Sequence, residues 1–206
     1  MTAPATAPIS AAEQTRAAQI GAALFRHRSW LPLLFVGILL VARARPSPAD
    51  WIAGAILIIL GEAFRLAGVA AAGTETRRRS RAVQRLVTYG VFAWSRNPLY
   101  NGNFLIWMGF VVLYGVLWFL PVAIVLFAAE YSFIVRYEEG VLESIFGSEY
   151  LEYKSRTPRW ILRFSASTPQ PDGYHWIEAW RSEISTFLQY AVLVAVLVIK
   201  NRFFGR

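Results

Sequence analysis

The stretch that decides the fold runs from Leu99 to Val135 and reads LYNGNFLIWMGFVVLYGVLWFLPVAIVLFAAEYSFIV. Its only ionisable side chains are those of Tyr100, Tyr114, Glu130 and Tyr131. A helix crosses a bilayer with about 20 apolar residues at ~1.5 Å each, so this run is too long for one crossing and must fold back. Gly115 and Pro121 bracket the expected turn, which predicts a helical hairpin over Leu99–Tyr114 and Leu117–Arg136.

Three further apolar runs extend this pattern. Trp51–Ala72 is broken only by Glu62 and Arg65, and the last run covers Ile184–Phe203. The first, Trp30–Val41, is short and reaches a full span only by extending back through Ile20–Phe25, with nearby arginines reaching the headgroups. We therefore predict an all-α integral membrane bundle of about five transmembrane helices.

A cleaved signal peptide is the competing interpretation of the first run. Basic residues precede it, and Ala42-Arg43-Ala44 resembles a small-x-small cleavage site. The arginine inside that site and its late position argue against cleavage.

Composition restricts the chemistry. Hydrophobic residues make up 56% of the 206 residues and charged residues 17%, whereas a soluble domain is about a quarter charged. The chain has no cysteine, which excludes disulfides and thiolate nucleophiles. Its two histidines, His27 and His175, are far apart, so we expect no metal site. The net charge of +8 comes from arginines beside apolar runs, which indicates lipid headgroups and not nucleic acid.

The basic loops predict the orientation. The loop with Arg77, Arg78, Arg79, Arg81 and Arg85 should stay in the cytoplasm, as should Tyr137–Glu183, since a hairpin separates the two. The N-terminus is then cytoplasmic. Either Lys200, Arg202 and Arg206 lie outside as the exception to the rule, or the last helix does not cross fully. We expect an integral protein of a bacterial inner membrane whose site faces the cytoplasm.

Changes in composition along the chain predict three regions. Residues 1–29 form an N-terminal tail and amphipathic lead-in. Residues 30–164 form a membrane core that holds the hairpin (99–136) and a cytoplasmic catalytic segment (137–164). Residues 165–206 form a Pro-containing linker and a C-terminal membrane helix.

Two polar clusters flank the hairpin, one over Tyr89–Tyr100 and one over Arg136–Arg159. The hairpin returns the chain to the face where it began, so both clusters are expected at one membrane surface. Each also has a purely structural interpretation: Pro98 suits the first turn of a helix and Asn97 suits its cap.

The paired carboxylates of Glu138 and Glu139 are harder to explain structurally. They fit a solvated helix end, but two acidic groups at a helix C-terminus oppose the helix dipole and repel each other. Such a pair needs a compensating partner, which Arg96 together with a cationic ligand would supply.

These residues resemble a known family. The first cluster is similar to a Gly-x-Tyr-x-x-x-Arg-His-Pro-x-Tyr motif, and the second to a Glu-Glu pair followed by Phe-Gly-x-x-Tyr-x-x-Tyr and a Pro-containing basic segment. Both belong to the isoprenylcysteine carboxyl methyltransferase and phospholipid methyltransferase superfamily. The resemblance covers about Thr88–Leu162, with Asn97 where many members have His and Phe92 where Tyr is frequent.

The resemblance implies transfer of a methyl group from S-adenosyl-L-methionine to a lipid-like or prenylated acceptor at the cytoplasmic face, with carboxylate O-methylation as the first expectation. The implied catalytic residues are Arg96, Glu139 and Arg156. The implied cofactor-binding residues are Tyr89, Gly90, Arg96, Asn97, Pro98, Tyr100, Glu138 and Glu139.

A substrate role is considered for Glu62, Arg65 and Tyr153. Glu62 and Arg65 lie three apart on one helical face within the bilayer, where charged groups usually meet a partner or a cavity. A mutually neutralising structural pair is the alternative.

Other functions remain open at this point. The acceptor could be a phospholipid amine, or a quinone or phenol hydroxyl. A related NADPH-dependent membrane reductase ranks lower. Its later motif has an Arg-Asp pair and a cysteine, whereas this chain has Glu138-Glu139 and no cysteine. A non-catalytic membrane protein is the remaining class. The expected partners are a lipophilic or lipidated substrate and membrane lipids, and no oligomeric state is indicated.

Overall fold

The computed structural model describes residues 16–27, 31–73, 85–160, 162–163 and 173–204. Within these residues the chain forms α-helices joined by short turns. The α-helices are α1 (Arg16–His27), α2 (Leu31–Val41), α3 (Pro48–Ala72), α4 (Pro98–Leu113), α5 (Leu120–Phe146), α6 (Ser148–Arg156) and α7 (Trp176–Phe204). Two 3-10 turns, Gly90–Ala93 and Leu117–Phe119, precede α4 and α5.

In the part of the chain that the structure describes, three segments are long and apolar enough to cross a membrane: Pro48–Ala72, Leu117–Phe146 and Trp176–Phe203. Helix α4 is apolar but has 16 residues, or ~24 Å of helix, which is shorter than a typical bilayer core. Large hydrophobic side chains on α3, α5 and α7 remain exposed, as lipid-facing positions require. The predicted all-α membrane bundle is confirmed.

The predicted hairpin is found between α4 and α5. Gly115 has a φ of 69°, in the left-handed region that favours glycine, and its backbone lies against Pro46. Pro121 lies in the first turn of α5, where its missing N–H has no helical partner to lose. The two residues identified from sequence thus mark the turn.

The first apolar run forms α2, which has 11 residues, with α1 as a separate helix before it. Helix α1 packs on α5, where the ring centroids of Phe25 and Tyr137 are 5.8 Å apart. At the other end of the bundle, the ring of Phe35 in α2 packs on Trp107 and Phe119 at 4.5 and 5.6 Å. Together α1 and α2 therefore run antiparallel to α5.

Two helices extend beyond their apolar segments. Helix α5 continues to Phe146, although the hairpin was predicted to end at Arg136. Helix α7 begins at Trp176, before the predicted Ile184. Hydropathy detects only the lipid-facing part of a helix, whereas backbone hydrogen bonding continues into the aqueous layer.

Several sequence predictions fall outside the described residues. These are the N-terminal tail up to Thr15, the basic loop except Arg85, and the linker up to Asp172.

Helices α3 and α4 pack with their backbones in close contact. A Cβ atom added at Gly61 would lie 2.6 Å from the carbonyl oxygen of Gly102, and one added at Gly102 would lie 2.6 Å from that of Gly61. Small residues at such crossings let membrane helices approach closely. This contact holds the start of α4, and with it the first polar cluster, against α3.

Replacing Gly61 with Ala is expected to lower the thermal unfolding temperature in detergent, because the new methyl group must push α3 and α4 apart. Overpacking of this kind costs about 1–3 kcal/mol. The matched control is Gly37→Ala in α2, where no atom lies within 4 Å of the added methyl group. Equal unfolding temperatures for the two variants would contradict the close α3–α4 contact.

Candidate active site

The two polar clusters meet at one end of the bundle, as the hairpin predicted. The backbone N–H of Arg96 donates to the carbonyl of Pro158 at 2.9 Å, and the Ser95 hydroxyl donates to the carbonyl of Arg159 at 3.0 Å. Ser95 is buried. These bonds join the turn before α4 to the segment after α6.

Arg96 is held by three groups from the second cluster. Its Nε donates to Glu139 at 3.1 Å, and its Nη1 donates to the carbonyls of Lys154 at 2.8 Å and Thr157 at 2.7 Å. Only 9% of its side chain is exposed. Lipid phosphates alone do not account for this arrangement, because three of its hydrogen bonds are made inside the protein.

Glu139 binds a second guanidinium group, that of Arg159. Nη2 of Arg159 donates to Oε2 of Glu139 at 2.7 Å, and Nε donates to its two oxygens at 3.1 and 3.2 Å. This hydrogen bonding to Glu139 raises the pKa of Arg159, although partial burial opposes the shift. The Glu139 side chain is 5% exposed, so the carboxylate is enclosed by two cations.

The Arg96–Glu139–Arg159 cluster carries an excess positive charge, with two guanidinium groups around one carboxylate. Within the described residues, Nη2 of Arg96 and Nη1 of Arg159 make no hydrogen bond. A charged donor at the edge of a buried cluster favours an anionic partner. The cluster therefore fits a ligand carboxylate better than a ligand cation.

The sequence analysis included Arg159 in the second cluster but assigned the catalytic role to Arg156. The structure does not bring Arg156 to this cluster: its side chain is exposed and pairs with Glu152 at 3.2 Å on the surface of α6. Arg159 follows Pro158 in the basic segment of the second motif. This position was the feature of the sequence that could have indicated a role for Arg159 in the site.

Glu138 is half-buried and precedes Glu139 on α5. Among the residues that the structure covers, both guanidinium groups pair with Glu139 and neither pairs with Glu138. Successive helix residues point about 100° apart, so the two carboxylates face different surroundings.

At the start of α4, Pro98 occupies the first turn as predicted, but the Asn97 side chain does not cap the helix. Its Nδ2 donates instead to the carbonyl of Arg159 at 3.2 Å. The Asn97 amide thus holds the arginine segment. Tyr100 faces α5, with its ring 4.8 Å from that of Tyr131.

Tyr89 and Gly90 lie at the side of the cluster next to α3. Tyr89 is buried, donates to the carbonyl of Ala71 at 2.8 Å and accepts from Arg85. Gly90 has a φ of 61°, and a side chain there would meet the hydroxyl of Tyr174. The structure therefore places Tyr89 as a support of the turn.

Tyr153 supports the same turn from α6. Its buried hydroxyl donates to the carbonyl of Phe92 at 2.7 Å. Burial raises the pKa of this phenol, which keeps it neutral and able to donate. The structure does not bring Tyr153 to Glu62 or Arg65, the other residues considered for the substrate.

Glu62 and Arg65 belong to an intramembrane network with α4 and α7. Nη2 of Arg65 donates to Glu183 at 3.1 and 3.2 Å, Nη1 donates to Asn103, and Nε lies 3.4 Å from Glu62. Tyr190 donates to Glu62 at 3.1 Å. The network joins three helices. Arg65 therefore has partners besides Glu62, and the two residues are more than a simple ion pair.

The fold and the site together define a helical integral membrane protein with a buried arginine–carboxylate cluster at one end of its central hairpin. Residues 49–149 match the family model of the phospholipid methyltransferases. This part of the chain is therefore similar to the isoprenylcysteine carboxyl methyltransferase and phospholipid methyltransferase superfamily, and the sequence resemblance is confirmed.

Curated relatives agree with this family. The chain is 35% identical over 118 residues to protein-S-isoprenylcysteine O-methyltransferase B of Arabidopsis thaliana, covering 52% of this chain and 58% of the relative. It is 33% identical to the Homo sapiens protein-S-isoprenylcysteine O-methyltransferase, covering 52% and 39%, and 34% identical to that of Saccharomyces cerevisiae, covering 50% and 45%. The chain thus spans about half the length of these relatives. No solved structure matches it.

Proposed function

We propose that the chain is an S-adenosyl-L-methionine-dependent methyltransferase that acts on a lipid-like or prenylated acceptor at the membrane surface. The observation that carries the proposal is the Arg96–Glu139–Arg159 cluster, which assembles both family motifs into one buried site. In this proposal residues 30–164 form the catalytic core.

The cluster fits the methionine end of the cofactor. Nη2 of Arg96 and Nη1 of Arg159 would bind its carboxylate, because these guanidinium atoms have no hydrogen-bond partner among the described residues. Glu139 would orient both guanidinium groups, and the neighbouring Glu138 is proposed to contact the cofactor ammonium or ribose. When bound, the cofactor supplies an electrophilic methyl group.

The protein's own contribution is alignment and exclusion of water. Its buried hydrogen bonds fix Arg96 and the Gly90–Ala93 turn before any ligand arrives, so little ordering remains to be done on binding. A carboxylate acceptor needs no base, because it is already ionised at neutral pH.

The acceptor proposed first is the carboxylate of a prenylated cysteine, because the curated relatives are named isoprenylcysteine O-methyltransferases. A lipid-borne acceptor also suits helices whose apolar side chains face the bilayer. A phospholipid amine and a quinone or phenol hydroxyl are the alternatives.

Purified protein in detergent tests the proposal directly. Calorimetry should detect binding of S-adenosylmethionine but not of NADPH. Methyl transfer from radiolabelled cofactor should then be measured to an S-prenylated cysteine, a phosphatidylethanolamine and a hydroquinone. Binding of NADPH alone would replace the proposal with a reductase, and transfer to the amine or phenol would change the acceptor.

We further propose that the site faces the cytoplasm of a bacterial inner membrane, where the cofactor is made. The chain has no native cysteine, so single cysteines report sidedness cleanly. Ser155 in α6 lies at the site end, and Ala49 in α3 lies at the other end; both are exposed.

In intact cells, Ser155→Cys is expected to be shielded from an impermeant thiol reagent and to react after permeabilisation, whereas Ala49→Cys should react from outside. The reverse labelling pattern would place the site on the outer face, away from the cofactor supply.

A further inference from the structure

Helix α7 lies beyond the family-matched segment, yet polar contacts fix it to α3. Glu183 is fully buried and accepts both hydrogen bonds from Nη2 of Arg65, and Tyr190 donates to Glu62 two turns further along. Ala179 is buried in a cluster with Leu66, Val69 and Ala70. These contacts set both the register and the rotation of α7 on α3.

The segment before α7 is consequently held against the candidate site. The backbone N–H of His175 donates to the carbonyl of Ala70 at 2.9 Å. One residue earlier, the hydroxyl of Tyr174 lies 2.8 Å from the position a Cβ would take on Gly90. The absence of a side chain at Gly90 therefore leaves room for Tyr174. Arg96 follows Gly90 by six residues, so Tyr174 contacts the same turn that leads to the arginine cluster.

Tyr174 and Trp176 present an aromatic surface next to this turn. Their ring centroids are 5.7 Å apart with planes 28° apart, so the two rings stack. They are 42% and 47% exposed, respectively, so part of each ring remains accessible. The two rings carry no charge, in contrast to the arginine cluster at the other end of the turn.

We propose that the Tyr174–Trp176 pair binds the adenine ring of S-adenosylmethionine, so that α7 completes the cofactor site. This inference rests on the proposed function. The ligand has an anionic methionine end and a flat aromatic end, and the turn has a cationic cluster at one end and stacked aromatic rings at the other. Stacking of adenine on aromatic side chains is favourable, because both partners offer flat π faces.

The test is the dissociation constant of the cofactor for Tyr174→Leu and Trp176→Leu, which keep apolar volume but lose the flat ring. Both variants should bind S-adenosylmethionine about tenfold more weakly. S-adenosylhomocysteine has the same adenine but no sulfonium charge, so its affinity should fall by the same factor. Tyr174→Phe, which keeps the ring, should retain the wild-type affinity.

Trp180→Leu is the matched control, since Trp180 is an exposed tryptophan of α7 whose ring packs on Phe187 at 5.5 Å. It should bind both ligands like the wild type. Unchanged affinity in Tyr174→Leu and Trp176→Leu would overturn the inference and make these rings part of an interfacial aromatic belt. A loss confined to S-adenosylmethionine would also overturn it, because the rings would then contact the sulfonium. Wild-type protein that binds neither ligand would overturn the proposed function itself.

Discussion

Replacing Glu139 with Gln is expected to lower methyl transfer by about a hundredfold or more. The carboxylate pairs with both Arg96 and Arg159, and it is almost completely buried. The amide has the same shape but no charge, and its nitrogen cannot accept a hydrogen bond from either guanidinium group. Two cations then face each other without a counter-charge, and the orientation of both is lost.

Two further glutamates of α5 make this result specific. Glu143→Gln removes a partly exposed carboxylate that pairs with Lys154, and activity should change by less than about twofold. Glu138→Gln leaves both arginine contacts intact and measures the separate contribution of the neighbouring carboxylate. Folding is checked by the monodispersity and unfolding temperature of the purified variants. A folded Glu139→Gln variant with normal cofactor affinity and turnover would remove Glu139 from the site.

Arg96→Lys is expected to lower methyl transfer by at least about tenfold with expression intact. The guanidinium group spans Glu139 on one side and the carbonyls of Lys154 and Thr157 on the other. A single ammonium group cannot reach all three positions with the same geometry. Losing one partner of a desolvated charged contact costs about 2–5 kcal/mol, which supports a tenfold loss as the lower limit.

Arg156→Lys is the matched control, because its exposed pair with Glu152 tolerates a flexible point charge. Cofactor affinity and turnover should both be measured, since a change in affinity alone identifies a binding role. Near-normal turnover of Arg96→Lys would mean that Arg96 only reaches toward lipid phosphates.

Sequence alone predicted the central hairpin because its determinants are local. The length of the apolar run forces a reversal, and Gly115 and Pro121 mark where it occurs. The same reversal predicted that the two motifs meet. The extent of α5 and α7 beyond the membrane was not predicted, since helical hydrogen bonding leaves no hydropathy signal in polar sequence.

The details of the candidate site depend on tertiary packing and were harder to predict from the sequence. Which of two adjacent glutamates faces the bundle depends on the rotation of α5, which sequence periodicity near a helix end does not define. Helix α6 ends at Arg156, so the direction of Arg159 follows from the turn at Thr157 and Pro158 and not from helical spacing. The Glu183 partner of Arg65 lies 118 residues away, and no local rule connects them.

Lys200 near the end of α7 has a consequence for how the protein is made. Its ammonium group donates to the carbonyls of Leu39 and Ala42 at the C-terminal end of α2, and it lies 5.8 Å from the centroid of the Tyr114 ring. Helix α2 is synthesised well before α7. The final carbonyls of α2 therefore meet this donor only after α7 has been made, so the packing of α2 is not completed while α7 is still being synthesised.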